Sequence, residues 1–149
     1  MYFVDQNQIN KTLVYMEQLL DIFEKETNWL QSDVNKLAVE RIAHGLIEGI
    51  IDVGNSMIDG FIMRDPGSYD DIIDILEDEK VIQPEQALPL KAFISLRPMI
   101  VRQFVEVDSD KVVLSIRETR NELQQFPGQV RDYLTNELGP VSAFLPTER

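Results

Sequence analysis

Cysteine is absent from the 149 residues, and histidine occurs once, at His44. The first absence removes disulfide scaffolds, thiolate metal sites and cysteine nucleophiles. The second leaves a Ser-His-Asp triad or a multi-histidine metal site a single residue around which to form. Glycine and proline number seven each, too few for a collagenous or linker-dominated chain. Basic residues are scarce: 14 stand against 26 acids, for a formal charge of −12. A field of that sign repels phosphate backbones and anionic lipid heads, which disfavours broad coating of nucleic acid but leaves local binding open. No apolar run approaches the roughly 18 residues of a membrane span, and the opening MYFVDQNQINK lacks a basic leader ahead of an apolar stretch. The expectation is a cytoplasmic protein without membrane contact.

What is present is helical periodicity. Apolar positions recur at three- and four-residue steps, and alternating Val, Thr and Tyr runs between turn dipeptides are missing. A first helix is predicted after Asp5 as N-cap, burying Ile9, Leu13, Met16, Leu19, Leu20 and Phe23 and ending near Thr27 to Trp29. A second follows Ser32 or Asp33 to about Phe61, with Ile42, Leu46, Ile50, Val53, Met57 and Phe61 in one apolar row. Arg64-Asp65-Pro66-Gly67 is the clearest break. Ser68 to Asp71 has the form of a capping box, opening a short helix that ends near Lys80. Pro84 suits the first turn of a fourth helix reaching about Val105, bent at Pro89 and Pro98. Asp108-Ser109 opens a fifth, to be kinked or split at Pro127-Gly128 before Val130 to Leu138, and the tail GPVSAFLPTER reads as irregular. The fold class is therefore all-α: a four-helix-type up-and-down bundle with an additional short helix, one domain over residues 1–149 with its core between about 4 and 138.

Three constellations bear on chemistry. Arg41, His44, Glu48, Asp52, Asn55 and Asp59 share one face of the second helix, either a solvated stripe or a contact surface. Gly45 and Gly49 lie beside it, where missing side chains admit another helix; with Arg41, Glu48 and Asp52 they make a candidate subunit interface. His44 with Glu40 and Glu48 is a poor metal site, since bundle di-metal centres take a Glu-x-x-His pattern from each of two helices; no metal and no cofactor are expected. Between Gln86 and Val105 there is no acid, yet Lys91, Arg97 and Arg102 fall there. That strip either binds an anion such as a short RNA or pairs with carboxylates of neighbouring helices. Phosphate-cradling Gly-rich loops and the Gly-x-Ser-x-Gly elbow do not occur.

The segment Leu96-Arg97-Pro98-Met99-Ile100-Val101-Arg102-Gln103-Phe104-Val105-Glu106-Val107-Asp108 resembles the signature region of the HepT-like proteins of the HEPN group, small helical ribonuclease toxins. Asp59-Gly60-Phe61 through Asp71, then Leu76 and Lys80-Val81-Ile82, is similar to that family's central stretch, and the helix of Arg41 and Glu48 to its second helix. The Asp65 to Asp71 run and Glu137 to Ser142 further resemble a Gram-positive branch. The resemblance implies a dimer in which two Arg-Asn-x-x-x-His-x-Tyr motifs line a cleft and cut RNA through its own 2′-hydroxyl without metal. It also implies a nucleotidyltransferase antitoxin that adenylates the motif Tyr. Here Arg97 matches the Arg, but Pro98, Arg102 and Phe104 replace Asn, His and Tyr. A guanidinium stays protonated at neutral pH and cannot serve as general base, and Phe104 has no hydroxyl to modify. The leading expectation is thus a degenerate ribonuclease that retains RNA or partner binding at a homodimer cleft. Two alternatives stay open: an active ribonuclease in which His44 works with Arg97 and Arg102, and a non-enzymatic protein-interaction bundle.

Overall fold

The structure, a computed structural model, describes residues 3–144. Its helices are α1 (Gln6–Lys25), α2 (Asp33–Gly60), α3 (Tyr69–Asp78), α4 (Pro84–Ile94), α5 (Ser109–Glu118) and α6 (Arg120–Phe144), with a π-helical turn, Pro98–Arg102, between α4 and α5. No strand occurs among the described residues, and the all-α expectation holds. Four helices start where short polar side chains can take an orphan amide: Asp5, Ser32, Ser68 and Asp108 accept from the backbone N–H of Gln8, Asn35, Asp71 and Lys111.

The apolar stripes of all six helices meet in one core. Leu13, Met16, Leu46, Ile50, Met57 and Phe126 are completely buried, each contributing on the order of 1.5–3 kcal/mol of transfer free energy. α1 and α2 run antiparallel at close range because of two glycines. A Cβ on Gly45 would lie 2.5 Å from Leu19 Cδ1, and one on Gly49 2.6 Å from Met16 Sδ. The close approach that Gly45 and Gly49 permit is therefore made by α1 of the same chain. The polar members Arg41 and Asp52 remain exposed, with Glu48 half-buried. α6 is tied to α1 by Arg131, which donates to both carboxylate oxygens of Glu17 (2.8 and 2.9 Å), and to α4 by the buried Gln86, which bonds Gln125 and Gln129.

The expected boundaries fail where proline or backbone geometry rules. α4 does not reach Val105: it stops at Ile94, Ser95 forms its C-cap, and the chain resumes as the π-helical turn, closed by Gln103 N–H donating to Pro98 O at 2.9 Å. Pro127-Gly128 does not split its helix; the break falls earlier, at Thr119, and α6 passes through Pro127 with helical backbone angles. The tail is helical to Phe144 apart from Gly139, whose φ of 74° leaves the helical region, while 145–149 lie outside the described residues. At α3 the acid arm expected of a capping box is redirected. Asp71 accepts from Gly67 N–H at 2.8 Å and from both terminal nitrogens of Arg64, rather than serving Ser68.

Candidate functional site

The polar face of α2 and the π-helical turn meet at Glu48. Its Oε1 accepts from Arg97 Nε at 2.8 Å, and the same oxygen faces His44 Nε2 at 3.6 Å. One turn earlier Arg41 Nη1 lies 3.3 Å from His44 Nδ1. A guanidinium can only donate, so Nδ1 must be the acceptor, and in the neutral ring Nε2 then carries the hydrogen that points towards Glu48. Arg97 is also held from the other side, its Cζ 4.8 Å from the centre of the Tyr69 ring, which suits cation–π contact. The order Arg41, His44, Glu48, Arg97, Tyr69 is thus a continuous chain of contacts joining α2, the π-helical turn and α3.

Two hollows flank it. A groove of about 300 Å³ between α1 and α2 is lined by Lys11 and Tyr15 of α1 together with Arg41, His44, Glu48 and Asp52 of α2. The second, about 420 Å³, lies before α3 and is bordered by Asn55, Ser68 and Tyr69. Among the described residues no group of three or more His, Asp or Glu side chains is gathered to hold a metal ion.

The basic strip divides. Lys91 pairs with Asp74 and its pKa is raised, mainly by that hydrogen bond; Arg97 pairs with Glu48. Arg102, at the end of the π-helical turn, is exposed and has no partner among the described residues. Phe104 is 67% exposed, so the ring at the motif Tyr position is presented to solvent rather than to the core. The acids of α3 are engaged as well: Asp71 and Asp78 meet Arg64. Arg64 holds the Asp71 carboxyl well below its ordinary value, at about 2.

The structure brings together His44, Glu48 and Arg97, with Arg41 beside them, and leaves Arg102 and Phe104 outside that set of contacts. Sequence reasoning missed Tyr69 as a neighbour of Arg97, and Glu48 as its partner. For Tyr69 the available signal was an aromatic at the first position of a capped helix; for Glu48, an acid on the same face as the one histidine.

Against known proteins, the model of the family described as Ribonuclease HepT-like matches residues 12–130. "Putative RNase YutE" of Bacillus subtilis is 52% identical over 144 residues, covering 97% of this chain and 99% of its own length. A solved structure of YutE from Bacillus subtilis, described as a cytosolic protein of unknown function, superposes with a TM-score of 0.92 at 52% identity over 97% of this chain and 100% of the other. A more distant structure, the tri-AMPylated Shewanella oneidensis HEPN toxin in complex with MNT antitoxin, shares the fold at a TM-score of 0.70 and 20% identity, covering 89% of this chain and 99% of that one.

Proposed function

The chain belongs to the HepT-like ribonuclease family, and from that premise we propose that it cuts RNA without metal at a site rebuilt on α2, with His44 as the proton-transfer group and Arg97 as the phosphate ligand. The observation that carries this reading is the shared Glu48 oxygen, which holds Arg97 and faces His44 one turn away on the α2 wall of an exposed groove. It favours the His44 alternative over the decayed site that the motif changes alone suggest.

The chemistry follows from the donors and acceptors. In RNA cleavage the 2′-oxygen attacks the adjacent phosphorus, the 2′-proton goes to a base, and the 5′-oxygen leaves as its bond to phosphorus breaks, taking a proton from solvent water, whose hydroxide then discharges the protonated base. The lone pair of neutral His44 is at Nδ1, covered by Arg41. An entering phosphate attracts that guanidinium, uncovering Nδ1 to accept the 2′-proton. Glu48 then faces the imidazolium at Nε2, orienting it and stabilising its charge, as a carboxylate does behind a catalytic histidine. Arg97 spends Nε on Glu48, which leaves its terminal nitrogens for the non-bridging oxygens as charge builds there.

Binding without cleavage is the second reading. Its support is Arg102 and Phe104, both exposed at the motif positions where the family has His and Tyr. By the same family relation we propose a homodimer, a nucleotidyltransferase-type antitoxin as partner, and a cytoplasmic location in line with the cytosolic relative; no helix among the described residues is long and apolar enough to cross a membrane. A short RNA incubated with the protein in chelator should yield 2′,3′-cyclic phosphate ends, and a single 2′-deoxy substitution at the cut position should block that cut. Cutting that survives the substitution would refute attack by the 2′-oxygen.

A further inference from the structure

The 420 Å³ hollow in front of α3 lies beside the Arg97 site but takes no part in the chemistry above. Its volume falls within the range of small-molecule sites. Pro66, Gly67 and Ile72 form its apolar and backbone border, while Asn55, Ser68 and Tyr69 add polar and aromatic groups. Tyr69 links the two places, since its ring lines the hollow and carries the Arg97 guanidinium over one face. Tyr69 is 43% exposed. Asn55 follows Glu48 and Asp52 on the exposed face of α2, and its amide has no partner among the described residues.

We propose that this hollow is a nucleobase subsite, in which the base of a nucleotide adjoining the Arg97-bound phosphate stacks on Tyr69 and is read by the Asn55 amide. The inference rests on the ribonuclease reading above and adds base selection to it. Aromatic rings accept any base by its π-face, whereas an amide selects. On its N7 edge adenine offers an N–H donor at N6 beside the acceptor, the pair that matches an Asn oxygen and nitrogen, where guanine offers two acceptors; the pyrimidines can pair an amide through N3 and the 4-substituent but have a smaller face to stack on Tyr69, so adenine is the base expected. Ser68 Oγ already accepts from Asp71 N–H and still has its own hydrogen to donate.

Fluorescence anisotropy with labelled 2′-O-methyl pentanucleotides A5, U5, C5 and G5, which attack by the 2′-oxygen cannot cut, in chelator and at low salt, tests it on the full chain. Wild type should bind A5 most tightly. Tyr69→Ala should weaken A5 about 5- to 100-fold, in line with alanine substitution of stacking residues, and Tyr69→Phe should retain it. Asn55→Ala, which does not touch Arg97, should level the four affinities. If Asn55→Ala leaves the ranking as it was, or wild type shows no preference for A5, the base subsite is overturned. The same holds if Arg97→Ala weakens binding while Tyr69→Ala and Asn55→Ala do not, an outcome that spares the phosphate site. A wild-type protein that binds none of the four overturns both readings together.

Discussion

Glu48 and Arg97 are 49 residues apart, so nothing local in the chain announces that they meet. The acid-free strip and the family resemblance placed Arg97 and Arg102 among the candidates, and its being the one histidine placed His44; only the packing of the π-helical turn on α2 separates Arg97, which joins the histidine through Glu48, from Arg102, which stays in solvent. Tyr69 was invisible for the same reason. Asp71, by contrast, was legible as an acid at the head of α3 but not in its role. It holds Arg64 by two 2.8 Å bonds and accepts from Gly67 N–H, pinning the loop before α3. Its folded pKa is depressed to about 2 from 3.8, so its contribution to stability is present above pH 3.8 and is lost as pH falls through about 2. Asp71→Asn should therefore lower the thermal midpoint at pH 7, and the gap to wild type should close as pH approaches 2. A constant gap over that range, in melts followed by circular dichroism, would contradict the assignment.

Helices are the most legible scale, because caps and apolar spacing act within a few residues. Asp5, Ser32, Ser68 and Asp108 all cap as their positions predict. Helix ends were harder. α2 closes with Met63 N–H donating to Ile58 O at 2.9 Å, a geometry that puts Ile62 in the left-handed region at φ 56° without a glycine to announce it. A β-branched residue pays about 1–2 kcal/mol there, and Ile62 is 73% exposed, so it gains little from burial. Ile62→Gly relieves that strain and gives back part of it through the freer unfolded chain. We expect a net stabilisation of about 1 kcal/mol, read as a higher urea midpoint at unchanged slope. A lower midpoint would mean that the isoleucine side chain holds this turn. Proline misled in both directions. Pro98 opens a π-helical turn where a bent α-helix was expected, and α6 continues through Pro127 to its break at Gly139, since tertiary packing outweighs one missing hydrogen bond.

For the whole molecule, a charge of −12 was readable at once, and it restricts nucleic-acid contact to wherever cations gather. In this fold they gather as Arg41 and Arg97 at the Glu48 cluster, with Arg102 at the end of the π-helical turn. Three phosphate contacts on a single strand give a slope of about −2 for log affinity against log salt. Short-RNA binding measured across a salt series should show that shallow dependence; a slope of −5 or steeper would point to a wide basic surface that the charge distribution does not offer. The central claim, that the chemistry has moved to α2, is tested most directly by RNA cleavage in chelator for three proteins: wild type, His44→Ala, and the triple variant Pro98→Asn, Arg102→His, Phe104→Tyr that restores the family motif. The account predicts that wild type cuts and that His44→Ala loses about 10²- to 10⁴-fold in rate, the usual contribution of a general acid-base group. Silence from wild type with cutting by the triple variant would contradict it, and would mark the site as a decayed ribonuclease on an intact scaffold.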